Sequence, residues 1–289
     1  MIVPNQENIK VHFASAEQLP KTISTLAGGV KYGLGTAFPF VYKMFNNGKI
    51  DDRKLIKTIS SKYKHFILDS GLFTLMFGSL KGKKDEAYLD KWYECLTDYV
   101  LHEQYKGTMV EVDCQKVLGV EKAWEYRIKM QDKMPNRIIN VFHFEDGKKG
   151  LDRLIEFSDY IALSVPELRF IKKKQYLNKL ANYIKNKKPE IDIHLLGCTE
   201  KNLLKDLIFC RSADSTSWLS PLIYGYVDSK SIGYLKEEIY LDGYKKWKEI
   251  HYKHFPNSVA RNNKIYCGTE VFCVEYFLNI YNQYAGNQN

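Results

Sequence analysis

HFILDSGLFT, residues 65–74, carries an aromatic and apolar run straight into Asp69, Ser70 and Gly71. An apolar run of that length bounded by turn residues reads as a buried strand. Its end in a carboxylate raises the question of what the carboxylate faces. A single junction of this kind says little, because Asp, Ser and Gly commonly close strands and open helices. The pattern recurs, in VHFASA (11–16), YGLGTA (32–37), MVEVDC (109–114), RIINVFHF (137–144), YIALSV (160–165), IHLLGC (193–198) and SADSTSW (212–218). With HFILDS (65–70) these make eight runs.

Between the runs lie segments with helical spacing at 17–27, 51–63, 85–105, 120–133, 149–157, 168–187 and 200–209. Alternation of strand and helix means βαβ units and a parallel sheet, whose strands are apolar throughout because helices cover them. Eight strands in about 220 residues fit a closed barrel better than an open sheet. The expected fold is therefore α/β, a (β/α)8 TIM barrel over residues 1–225. A helical C-terminal extension over 226–289 is expected to pack on it. The glycine-rich AGGVKYGLG (27–35) precedes a strand instead of leading from a strand into a helix, so it does not read as a phosphate-binding loop.

The 289 residues are 45% hydrophobic and 14% aromatic, enough for one large core. No run approaches the roughly 18–20 apolar residues of a membrane span, and MIVPNQENIK lacks a signal-peptide core. A cytoplasmic protein with no membrane partner is expected. The six cysteines include no Cys-x-x-Cys pair, which argues for reduced thiols and against a disulfide framework or zinc cluster. No metal or other cofactor is expected. The net charge of +9 would draw in polyanions. An AT-rich coding sequence would produce the same Lys-, Asn- and Tyr-rich composition.

In such a barrel the loops after the strands converge on one mouth. Asp69, Asp113, His143, Ser164, Cys198 and Asp214 all fall at or near strand ends. Carboxylates gathered in a partly apolar pocket push one another's pKa values apart, giving one ionised nucleophile and one protonated acid. That division of labour serves chemistry at a sugar's anomeric carbon. The same three aspartates are also compatible with a divalent metal site, or with separate capping of the helices that follow.

DSGLF (69–73), EVDCQ (111–115), YIALS (160–164) and IHLLGCTEKNLLKDLIFCRSADSTSW (193–218) resemble, in order and spacing, the motifs of the tRNA-guanine transglycosylase superfamily. The compact chain is most similar to the phage and bacterial 7-deazaguanine DNA transglycosylase branch. The resemblance covers about residues 60–220. It implies Asp214 as the nucleophile on C1′ of the target nucleotide and Asp69 as the general acid/base. Asp113 would accept hydrogen bonds from the base, and Phe73 would stack on it. Ser70, Gly71, His143, Ser164 and Gly197 would line the base pocket. The implied activity replaces guanine in a polynucleotide, DNA in preference to tRNA, with a 7-deazaguanine such as the 7-cyano form.

Two features depart from the family. Cys267 and Cys273 stand without the Cys-x-Cys-x-x-Cys and histidine of the tRNA enzymes' zinc site, and the usual double glycine is Gly71-Leu72. Bland readings stand beside the sharp ones: Phe73 as core, His194 as a histidine satisfied within the core or behind the site, Ser164 as the start of a helix. The basic segments RFIKKKQYLNKL (169–180) and GYKKWKEIHYKH (243–254) are candidates to grip a nucleic-acid backbone, or are solvated helix faces. The competing functions are a tRNA-directed transglycosylase, a nucleoside or glycoside hydrolase on the same barrel, and a non-catalytic nucleic-acid-binding barrel. The sequence leaves the oligomeric state open.

Overall fold

The structure, a computed structural model, describes residues 9–15, 31–49, 56–72, 85–198, 200–217, 226–227 and 230–231. Its strands are β1 (Lys10–Ala14), β2 (Tyr32–Thr36), β3 (His65–Asp69), β4 (Thr108–Val110), β5 (Ile138–Phe142), β6 (Tyr160–Ser164), β7 (Asp192–Leu196) and β8 (Ser212–Ser215). Each pairs in parallel with the next, and β8 returns to β1 to close the barrel. All eight expected runs are strands of this barrel.

The two-residue period of a strand explains why the runs are apolar on both faces. One set of alternate residues, including Val11, Phe13, Phe66, Leu68, Ile161, Leu163, Ile193 and Leu195, joins the core under the helices. The other set, Ala14, Leu34, Ile67, Val110, Ile139, Val141, Tyr160 and Ala162, fills the barrel itself. Asp69, His143, Ser164 and Asp214 share the parity of this second set. In a parallel barrel that places all four toward the interior at the end where the strands finish.

The helices between strands are α1 (Phe38–Phe45), α2 (Ile56–Ser60), α3 (Glu86–His102), α4 (Gln115–Leu118), α5 (Val120–Lys133), α6 (Gly147–Phe157), α7 (Val165–Phe170), α8 (Leu177–Lys187) and α9 (Lys201–Asp206). Local chemistry sets their starts: Asp85 accepts the Tyr88 N–H at 2.8 Å ahead of α3, and Ser164 accepts the Glu167 N–H at 3.2 Å ahead of α7. α1 packs on α3 through the stacked pairs Phe38–Trp92 and Phe40–Tyr99, with ring centroids 5.7 and 5.3 Å apart.

Four details differ from the expectation. Residues 168–187 are two helices, because the chain ends α7 with Lys172 in a left-handed conformation, φ 57°. α1 forms where no element is expected, with Pro39 in its first turn, where a missing N–H costs nothing. β4 stops at Val110, so Asp113 lies three residues past the strand instead of at its end. Cys198 likewise lies two residues beyond β7.

The cause at β4 is the buried ion pair of Glu111 with Arg127. Arg127 donates twice to Glu111 Oε1 and once to Oε2, and Asn140 Nδ2 and the Val141 N–H complete the carboxylate's partners at 2.7 and 2.9 Å. Glu111 N–H still donates to Ile139 O at 3.0 Å, but the Val141 N–H goes to the Glu111 side chain and not to a backbone carbonyl, so the ladder stops there.

Of the expected C-terminal extension, only an antiparallel pair, Tyr226–Val227 with Lys230–Ser231, is described. The helix expected at 17–27, the basic segment 243–254 and Phe73 lie outside the described residues. Among the described residues no helix is long and apolar enough to cross a membrane.

Candidate functional site

Asp69 is the last residue of β3, half-buried, with Gly71 N–H donating to its Oδ1 at 2.8 Å. The backbone at Gly71 itself lies in the left-handed region, φ 80°. A Cβ there would also stand 2.8 Å from Phe38 Cβ, so glycine is the residue that fits. Burial is the main influence on the Asp69 carboxyl and pushes its pKa up to about 6, against the Gly71 hydrogen bond. The charges of Asp214 and Asp113 push it further in the same direction, and His194 opposes them. Asp69 therefore feels the charges of both other aspartates.

Asp214, buried within β8, accepts at Oδ1 from the Gly197 N–H at 3.0 Å and from His194 Nε2 at 3.1 Å. Gly197 has φ 61°, and a Cβ on it would stand 2.6 Å from Pro166 Cγ. Behind Asp214 a hydrogen-bonded chain runs down the barrel interior. His194 Nδ1 meets Ser212 Oγ at 2.5 Å, and Ser212 Oγ meets the Tyr160 hydroxyl at 2.5 Å. Every atom is satisfied if Tyr160 donates to Ser212, Ser212 donates to Nδ1, and Nε2–H donates to the carboxylate.

A second interior pair, His12 Nε2 to His65 Nδ1 at 2.8 Å, continues to Thr108 Oγ1 at 3.3 Å. Burial, followed by Lys10 and Arg211, pushes His65 down to about 4, and burial, followed by His65 and His194, lowers His12 well below the usual range.

Asp113 is tethered from the side. His143 Nε2 donates to its Oδ1 at 2.8 Å, and His143 Nδ1 donates to Glu167 Oε2 at 2.9 Å. Burial disfavours a charged imidazole, but the hydrogen bonds to Asp113 and Glu167 and their charges override it. The result is a ring pushed up to about 10 and held protonated between two carboxylates. Lys116 adds a cation beside Glu167 at 3.4 Å and Glu145 at 2.7 Å.

The three aspartates share one arrangement. Each has Oδ1 fixed by a named donor, and among the described residues none has a partner on Oδ2. Three anchored carboxylates with one oxygen apiece left over have the chemistry to attack, exchange a proton and accept a hydrogen bond. Among the described residues no group of three or more His, Cys, Asp or Glu side chains is disposed to hold a metal ion.

The structure thus brings Asp69, Asp113, His143, Gly71, Gly197 and Asp214 into one system. Ser70 is buried behind it, its carbonyl accepting from Trp92 Nε1 at 3.2 Å, and Ser164 caps α7 at the rim. His143 is occupied on both nitrogens, so it serves Asp113 instead of presenting an edge of its own. Burial pushes the Cys198 thiol up to about 11, which leaves it a poor nucleophile. Glu167 and the full role of His194 escape sequence reasoning, because one sits on a helix after the strand and the other two residues below the mouth. The alternation His194, Leu196 on a strand whose loop holds Gly197 is the signal that places His194 on the interior face. No protein-family model matches the chain, and no curated protein matches it.

Proposed function

We propose that the barrel mouth catalyses base exchange at a guanine nucleotide of a polynucleotide, DNA in preference to tRNA, in the manner of the transglycosylases the motifs resemble. The observation that carries the reading is the set of three aspartates, each tethered through one oxygen, one of them with its pKa raised to about 6.

In this mechanism Asp214 Oδ2 attacks C1′ while the bond from C1′ to N9 breaks, and the departing guanine takes its proton from Asp69. An incoming 7-deazaguanine then returns its N9 proton to the Asp69 carboxylate. Its nitrogen attacks C1′ and frees Asp214. Asp69 suits both halves because a group with pKa near 6 populates acid and base near neutrality. Asp113, an acceptor only, suits the N1–H and 2-amino donors of the base. The protonated His143 keeps it oriented through the hydrogen bond to Oδ1.

The test incubates the protein with guanine-containing DNA and, separately, with tRNA, adds a 7-deazaguanine, and digests each polymer to nucleosides for mass spectrometry. Incorporation of the deazaguanine into DNA, with release of free guanine, is the expected result. Free guanine with an abasic product and no incorporation would replace this reading with a hydrolase. A chain that binds the polymers and changes neither would exclude both.

A further inference from the structure

The loop between α7 and α8 combines features that the chemistry at the mouth does not use. α7 starts at the rim beside Ser164 and is six residues long, so its end stands about 9 Å from the rim. There Phe170 is 87% exposed, the largest exposure among the large apolar residues described, flanked by the partly exposed Ile171 and Tyr176. The turn that follows is rigid. Lys173 N–H returns to Leu168 O at 2.7 Å and Lys172 N–H to Arg169 O at 3.0 Å, the double bond of a Schellman cap.

The position in that cap that favours glycine holds Lys172, with φ 57°. A lysine kept where its backbone is strained argues for its charge. Among the described residues neither Lys172 nor Lys173 pairs with a carboxylate, whereas Lys174 and Arg169 lie against Glu200. Lys173 lies over the Tyr176 ring at 5.6 Å, a contact that does not neutralise its charge. An exposed aromatic ring backed by cations without a carboxylate partner, on a stiff turn beside an active-site mouth, has the chemistry to enter a base stack and hold the flanking phosphates.

We infer that Phe170, Lys172 and Lys173 form a wedge that fills the gap in a DNA duplex when the target nucleotide swings into the barrel. This inference rests on the base-exchange reading, because only an extracted nucleotide leaves such a gap.

The test uses the full chain, a duplex with 2-aminopurine next to the target guanine, and a second oligonucleotide with the target in an unpaired bubble. Phe170→Ala should abolish the 2-aminopurine signal and lower exchange on the duplex about tenfold more than on the bubble. Lys172→Gly should fold at least as well as wild type, since glycine adopts the left-handed conformation freely, and should lower the salt slope of DNA binding by about one.

Equal losses on duplex and bubble, or an unchanged salt slope in a folded Lys172→Gly protein, would overturn the wedge. Wild-type protein that opens the duplex yet exchanges no base would contradict the transglycosylase reading and support the wedge. Exchange on both substrates that is indifferent to Phe170→Ala would contradict the wedge alone.

Discussion

Asp69 sits half-buried at the end of β3 with its pKa raised to about 6, so in the proposed base exchange its protonation would divide the reaction by pH. Release of guanine in a single turnover needs the acid and should slow as pH rises through about 6. Capture of the incoming base needs the carboxylate and should quicken over the same range. In Asp69→Asn both limbs should vanish from the pH–rate profile. The same residue has a stability signature of definite sign. A carboxyl whose folded pKa lies above its unfolded value favours folding at low pH and loses that contribution as pH rises through about 6. Asp69→Asn should therefore stabilise the protein at pH 7, by about 1–2 kcal/mol in chemical denaturation. His143 behaves in the opposite range. Its pKa of about 10 makes its contribution complete below about 6.5 and lost as pH rises through 10. His143→Phe should raise KM for the incoming base about tenfold with a smaller change in kcat, because it frees Asp113 without touching the nucleophile.

At the scale of elements, the glycines that present N–H groups to the aspartates are the most constrained parts of the loops. Gly71→Ala meets both a positive φ and Phe38 at 2.8–2.9 Å, and should cost about 2–3 kcal/mol in thermal or urea melts. Gly119→Ala has a similar φ of 85° with nothing within 4 Å, and should cost only about 1 kcal/mol. The difference isolates the steric part. These junctions also show what the chain discloses locally. Each barrel strand is legible because it is apolar on both faces, and the places of Asp69 and Asp214 in β3 and β8 are legible because each follows an apolar or small-residue run. The early end of β4 is not, since the Glu111 carboxylate takes a ladder N–H from Val141 while meeting Arg127, sixteen residues away, in a pairing no local window contains. The break between α7 and α8 is hidden for a related reason: a lysine occupies the turn position where glycine would have announced it.

Across the whole molecule, the barrel interior is polar below its mouth, with His12, His65 and Thr108 in one chain and His194, Ser212 and Tyr160 in another. Histidines buried with lowered pKa values make the fold sensitive to acid. At His12 and His65 the unfolded chain binds more protons between about pH 4 and 6.5, and these two groups outnumber Asp69, which acts with the opposite sign up to about 6, so stability should rise with pH across that window and fall on acidification. His65→Gln should remove up to about 3 kcal/mol of that dependence, read as the difference in unfolding free energy between wild type and variant at pH 4 and 7. The central claim is that Asp214 and Asp69 grip one nucleoside, with the free oxygen of Asp214 becoming bonded to it. The direct measurement is intact-protein mass spectrometry after rapid mixing with a guanine-containing oligonucleotide and acid quench, followed by peptide mapping. We predict an adduct of the oligonucleotide minus guanine on the peptide carrying Asp214, absent in Asp214→Asn. An adduct on another residue, or guanine release that persists in Asp214→Asn, would contradict it.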